Sequence, residues 1–407
     1  MSYRNFVIDQ IEAAFEGGAK QIPFSLSSLS NVTGIRQGIY TLLGGSTGSG
    51  KTTWVDQEYV LQAYQYVKTH PEYKLRVFYH SMERRKAYKL QKWTSWKIYQ
   101  DTGNVVTSDQ MLAYQALGPN MTPSDILDLT RKYEGYFDEM MDNVVITDGS
   151  VTPKTIFYSA QAYAFENGSY YATLREPGPD KPSHLMLNNV KIAEFSPSQY
   201  YVDKVGKHRM YLEITHKGKP LTITAHENRY FPNDPNEFVL IILDHMGKLT
   251  PEKGMDKWAT IAEMSTSLGN LRDRYLFSPI AINQFNRSLG DIQRSKLYGD
   301  DLLPQLEDFE GQAVTQHDAD LILALFDPVR YKRENCLDYE MDRMRSPGGH
   351  NRFRSVSVLK NTTGIDQVHL GMRFTGEVGL FEGLPFHDSP DMRAMYKSES
   401  LGQGNRS

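Results

Sequence analysis

A single cysteine in 407 residues, Cys336, leaves no room for a disulfide framework or a cysteine-built zinc site. No run of 18 uninterrupted apolar residues occurs, so no membrane span is expected. The opening MSYRNFVIDQIEAAFEGG lacks a basic stretch followed by an apolar one and does not read as a secretory signal. Positive charge is not in excess either: 45 Lys and Arg against 49 Asp and Glu give a net charge of −4. That excludes a protein that coats nucleic acid by bulk charge; any such contact must come from a local basic patch. No fixed-period repeat and no long low-complexity tract is present. What these absences leave is a soluble, cytoplasmic chain. With 40% apolar and 23% charged residues it has material for a large core.

The apolar segments that are present fall into short runs. GIYTLLGG from Gly38, LRVFYHS (Leu75 to Ser81), NVVIT (Asn143 to Thr147) and FVLIILD (Phe238 to Asp244) read as buried strands. SPIAIN (Ser278 to Asn283), LILALF (Leu321 to Phe326) and SVSVL (Ser355 to Leu359) read the same way. Helical periodicity lies between them, from Lys51 to about Val67, up to about Tyr99, and from Met255 to Arg274. Continuous apolar strands alternating with helices predict an α/β fold with a mostly parallel sheet covered on both faces. One stretch, 167–237, breaks the alternation. It is rich in Tyr, Thr, Pro and Gly, with period-2 runs such as MYLEITH and LTITAHE, and predicts a small β-rich insertion. Val7, Ile11, Ala14 and Phe15 mark one face of an N-terminal helix with little nearby sequence to pack on.

The strongest signal is Gly45-Ser46-Thr47-Gly48-Ser49-Gly50-Lys51-Thr52, followed by Thr53, which fits G-x-x-x-x-G-K-[ST] at every position. Glycines let backbone N–H groups turn inward around a polyphosphate, and the following helix adds its positive N-terminal end. Lys51 is then placed for the β/γ-phosphates and the Thr52 hydroxyl for Mg²⁺. Asp244, at the end of the most apolar strand, suits Mg²⁺ held through water, although strands often end in Asp for no such reason. Glu83, two residues past LRVFYHS, reads equally as a base for an attacking water or as a helix N-terminal acid favoured by the dipole. Gln284 is either a γ-phosphate sensor or a polar loop residue. Arg287, Arg294 and Lys296 form a basic loop that suits a nucleic-acid backbone or a solvated surface. His245 and His317 read as polar neighbours of the site, and Trp54, Trp93 and Trp96 as packing residues.

In order along the chain, these segments resemble the motor domain of bacterial and phage DnaB-type replicative helicases, within the RecA-like ATPases. IPFSLSSLSNVTGIRQGIYTLLGGSTGSGKTT resembles the family's lead-in and phosphate loop, VFYHSMERR its "SLEM" segment, and IILDH its Walker B strand. INQFNRSL resembles "SQLNRSL", QHDADLILAL resembles "EQDADVI", and VLKNTTG lies where the family has its "KQRNG" hairpin. The resemblance implies ATP and Mg²⁺ as cofactors, Glu83 as the catalytic base, Asp244 as the Walker B acid and Gln284 as the sensor. Lys360 matches the hairpin lysine that reaches the neighbouring subunit's site. A hexameric ring on single-stranded DNA is implied, with primase or other replisome proteins as further partners and a phage as the source.

On this basis residues 1–19 form a linker helix, 20–166 and 238–385 the RecA-like ATPase, 167–237 the insertion and 386–407 a flexible tail. Three departures stand out. Thr362 occupies the place of the trans-acting hairpin arginine, for which Arg352, Arg354 and Arg373 are candidate replacements. Glu307 in LEDFEG replaces an arginine of the family's DNA-contacting "LRESGS" loop, and acidic residues repel phosphate. The resemblance also begins at the linker, so the primase-docking collar of bacterial members is not expected. The expected function is an ATP-driven, ring-forming translocase or helicase on single-stranded DNA. A RecA-like ATPase without unwinding activity, such as a recombinase, loader or assembly protein, is the alternative.

Overall fold

The computed structural model describes residues 21–117, 121–174, 184–188, 200–202, 208–216, 218–224, 230–286, 289, 298–299, 302–309, 313–346 and 348–404. Nine strands build its central sheet: β1 (Thr41–Gly45), β2 (Lys74–Ser81), β3 (Val144–Asp148), β4 (Glu237–Asp244), β5 (Ser278–Ile282), β6 (Leu321–Phe326), β7 (Phe353–Asn361), β8 (Val368–Thr375) and β9 (Leu380–Gly383). Their order across the sheet is β9-β8-β7-β6-β1-β5-β4-β2-β3. From β6 to β3 every neighbouring pair is parallel, whereas β7, β8 and β9 are antiparallel to their neighbours. The antiparallel edge follows from the connections. Only six residues separate Asn361 from Val368, too few for the crossover of a dozen or more that parallel strands require.

Two cores lie on the two faces of this sheet. Along β4, Phe238, Leu240 and Ile242 point to one side, while Val239, Ile241 and Leu243 point to the other. The first face is covered by helix α1, which runs through Lys51–Val55, a π-helical stretch Asp56–Gln62 and Ala63–Thr69, and by α2 (Lys86–Thr102). The second is covered by α3 (Pro153–Glu166) and α4 (Lys257–Tyr275). Because both faces are covered there, the inner strands β1, β4, β5 and β6 are buried along nearly their whole length.

Between α3 and β4, strands at Gly168–Leu174, His184–Asn188, Tyr200–Val202, His208–His216, Lys219–Thr224 and Tyr230–Pro232 pair antiparallel in a separate sheet. MYLEITH and the LTIT that follows it meet in a hairpin, with Ile214 opposite Leu221. Tyr230 ties this sheet to the main body by edge-on contacts with Tyr275 and Phe277.

One sequence expectation needs correction. The polar C-terminal stretch contains a helix, Pro390–Gly404, rather than a loose tail. Met392 and Tyr396, spaced i and i+4, bury against a small core that includes Tyr339, Met341 and Met344. Three apolar side chains on one face, counting Met395, suffice to seat a helix whose overall composition is polar. The linker segment 1–19 lies outside the described residues.

Candidate nucleotide site

The parallel strands end their C-terminal tips on one edge of the sheet, and the loops that follow them converge there. β1 runs directly into the phosphate loop, and α1 begins at Lys51. The helix N-cap, Gly50, has φ +97°, and a Cβ there would sit 2.6 Å from the Phe381 ring, so only glycine fits this turn. The first N–H groups of α1 have no intrahelical acceptor and form a ready anion site. Ser49 Oγ is buried with no hydrogen-bond partner among the described residues.

Lys51 is folded back onto its own loop, donating to the carbonyls of Gly45 at 2.7 Å and Ser46 at 2.9 Å. Burial pushes its ammonium down to about 8, with Asp244 and Glu83 opposing that shift and Arg330 adding to it. A cation held this way on two carbonyls is positioned to exchange them for phosphate oxygens, whose negative charge would raise its pKa again.

Asp244 lies at the tip of β4, level with Ser81 at the tip of β2. Its Oδ1 accepts from the Thr52 hydroxyl at 3.0 Å. A hydroxyl and a carboxylate oxygen at this separation form the hard oxygen pair that suits Mg²⁺. The peptide linking Asp244 to His245 is cis. His245 Nδ1 accepts from the Gly247 N–H at 3.2 Å, and burial lowers the pKa of the ring, with Glu83 and Asp244 opposing.

Glu83 sits in the turn before α2, which is closed by Ser81 Oγ donating to the Arg84 carbonyl at 2.6 Å. Its side chain is exposed. Gln284 follows β5, where Asn283 N–H donates to Leu43 O at 2.8 Å and Phe285 N–H to Gly45 O at 3.3 Å, fixing this segment against the phosphate loop. Lys51, Thr52, Glu83, Asp244 and Gln284 all line one cavity of about 300 Å³, at the lower end of the range occupied by ligand sites. Sequence positions as far apart as 51 and 284 therefore share one wall. A polyphosphate with a divalent cation fits this donor set.

Other candidates are placed differently. Lys360 Nζ donates to the carbonyls of Gln316 at 2.9 Å, His317 at 3.1 Å and Ala319 at 2.6 Å, capping the C-terminus of the helix Ala313–Asp318 in its own chain. All three donors of the ammonium are thereby used. Because β7 runs antiparallel to β6, Lys360 lies opposite Ile322, near the edge of the sheet remote from the phosphate loop. Thr362 follows in the hairpin turn, its N–H bonded to Asp320 O at 3.0 Å.

Among the proposed arginine replacements, Arg354 is buried and paired with Asp327 at 3.2 Å, and Arg373 is paired with Glu382 at 3.6 Å. Glu307 is exposed in a short 3₁₀ turn, Leu306–Asp308. Arg287, Arg294 and Lys296 lie outside the described residues.

Sequence reasoning missed two cations. Arg330, in the turn after β6, spreads its guanidinium over Gly48: a Cβ built there would be 3.4 Å from both Nη atoms. The parallel pairing of β6 with β1 brings it there, and only strand order reveals that neighbour. The second is Lys89 of α2, buried at 1% exposure beneath Asp244. Its spacing of i, i+4 and i+7 with Trp93 and Trp96 was the available signal, since it places a lysine on the buried face of the helix.

Neither a protein-family model nor a curated protein sequence matches the chain. Solved structures do. One of them, an ATPase domain, superposes with a TM-score of 0.58 at 14% identity, over 95% of this chain and 100% of that one. A DnaB-like replicative helicase, solved for its interactions with primase, gives 0.57 at 15% identity over 93% of this chain and 68% of that one. The chain thus shares the fold of these structures, α/β with a mixed, mostly parallel central sheet. Among the described residues no helix is long and apolar enough to cross a membrane.

Proposed function

We propose that this protein is an ATP-dependent, ring-forming motor that translocates along or unwinds single-stranded DNA. The observation that carries the reading is the convergence of Lys51, Thr52, Glu83, Asp244 and Gln284 on one cavity at the mouth of a phosphate loop. The backbone of residues 45–53 binds the phosphates of ATP, and Lys51 leaves its two carbonyls to meet them. Thr52 and Asp244 would hold Mg²⁺, which supplies neutralisation of phosphate charge. Glu83, exposed at the cavity wall, orients a water and takes its proton. Gln284 reports the state of the γ-phosphate to the loop that follows, where Arg287, Arg294 and Lys296 contact the DNA backbone.

Steady-state ATPase activity with and without single-stranded DNA, at low salt, tests this. Stimulation of several-fold is the expected result. Turnover indifferent to DNA would favour a RecA-like ATPase without unwinding activity. The specific support for that second reading is Glu307, an exposed acid where the DNA-contacting loop of the resembled family carries arginine. The antiparallel sheet between α3 and β4 is then the proposed partner-binding part.

A further inference from the structure

Behind the proposed metal-holding pair lies a buried polar cluster that the reading above does not use. Lys89 Nζ donates to Tyr79 OH at 2.7 Å, to Asp244 Oδ2 at 3.2 Å and to Asp56 Oδ1 at 3.3 Å. These are three donors on three acceptors, so the ammonium is saturated. It also lies 4.0 Å from the centroid of the Tyr79 ring. The Lys89 and Asp244 side chains are each 1% exposed and that of Asp56 10%, so water does not take the place of any member. Tyr79 OH donates in turn to Asp244 Oδ2 at 3.3 Å.

We propose that Lys89, with Asp56 as its counter-ion, is a positioning residue that fixes the Asp244 carboxylate for metal binding. The proposal rests on the assignment of Thr52 and Asp244 to Mg²⁺ given above. A carboxylate at a strand tip is free to turn about its last torsion. Here Oδ1 is held by Thr52 and Oδ2 by Lys89 and Tyr79, so any rotation breaks one set of bonds. The shared counter-ion matters as much as the clamp. An ammonium paired with Asp244 alone would cancel the negative charge that a divalent cation needs. Asp56 takes a share of it and leaves Asp244 anionic toward the cavity. Conversely, without Lys89 two carboxylates would face each other in a buried space, at heavy electrostatic cost. Groups that orient a metal-binding carboxylate from behind are worth about 10- to 100-fold in metal affinity.

The test uses the full chain with Mn²⁺ as the probe, its binding in the presence of ADP followed by electron paramagnetic resonance, beside the Mg²⁺ dependence of ATP turnover. Three variants are compared: Lys89→Met, the charge-balanced Lys89→Met/Asp56→Asn, and Tyr79→Phe, which keeps the ring. Lys89→Met is expected to bind Mn²⁺ about tenfold more weakly and to need correspondingly more Mg²⁺. In the double variant, thermal stability is expected to recover in part, because one buried carboxylate, Asp244, remains rather than two facing each other, while weak metal binding persists. Tyr79→Phe is expected to weaken Mn²⁺ by about threefold, within the range for loss of one hydrogen bond. Wild-type Mn²⁺ affinity in a folded double variant, or in Tyr79→Phe should the double variant not fold, overturns the positioning role and leaves a purely structural one. Absence of nucleotide-dependent Mn²⁺ binding in the wild type overturns the metal assignment itself, and the positioning role with it.

Discussion

The two halves of the central sheet treat their charged residues in opposite ways. On the parallel half, β1, β2, β4 and β5 deliver Lys51, Glu83, Asp244 and Gln284 to one cavity. On the antiparallel edge, Arg354, Lys360 and Arg373 are each engaged by groups of their own chain. Strand direction explains the contrast. Parallel strands put every C-terminal tip on the same edge, so each following loop adds to one site. Antiparallel strands alternate, and β7 carries Arg354 at the phosphate-loop edge but Lys360 near the opposite one. A lysine there is in no position to serve its own phosphate loop.

The largest test of this contrast is Lys51→Ala. Loss of turnover on the order of 10³-fold is expected, since one preorganised cationic contact to developing charge is removed. Glu83→Gln comes next: hydrolysis is expected to fall by about 10²- to 10⁴-fold while nucleotide binding, read by titration with a fluorescent ATP analogue, is kept. Normal turnover in that variant would sink the assignment of Glu83 as base.

On the other half the expected effects are on stability. Arg354→Ala leaves Asp327 without its buried partner and should cost about 3 kcal/mol in chemical denaturation. Lys360→Ala removes only a helix C-terminal cap, worth about 1 kcal/mol. If turnover of the assembled protein fell more than tenfold in Lys360→Ala while its melting temperature shifted by only a few degrees, the lysine would be acting on a neighbouring subunit. The contrast between the halves would then hold for the isolated chain alone.

A further effect concerns pH. Glu58, buried in the π-helical stretch of α1, accepts from Ser25 N–H at 2.7 Å and also bonds the Ser25 hydroxyl and Gln57. Burial raises its carboxyl to about 7, with Ser25 and Gln57 opposing. A folded-state value above the unfolded one means the folded chain holds the extra proton. The stabilisation is therefore full below about 4.5 and is lost as pH rises through about 7. Glu58→Gln should flatten the fall in melting temperature between pH 5 and pH 8. An unchanged slope would show that Glu58 is not the group responsible.

Much of this was legible in the sequence. The buried strands announced themselves as apolar runs, and β1, the phosphate loop and α1 form one contiguous strand–loop–helix unit whose chemistry needs no distant partner. The edge strands β8 and β9 were less visible, because MRFT and LFEG mix apolar and charged residues at a half-exposed edge. The C-terminal helix was hidden for a similar reason: Met392 and Tyr396 acquire a core to pack on only once residues 339–344 are folded beneath them.

The sequence by itself determined the strand–loop–helix unit on which the proposed polyphosphate site rests, since eight consecutive residues carry that geometry through backbone and helix end alone. It determined the α/β class as well, through the lengths and apolarity of its strands. The tertiary structure decided which charges are free to act. Lys89 finds Asp56 across 33 residues of chain and Asp244 across 155, and Arg330 finds Gly48 only because β6 pairs with β1. A charged side chain takes its role from the field of its neighbours, and strand order rather than sequence distance sets those neighbours.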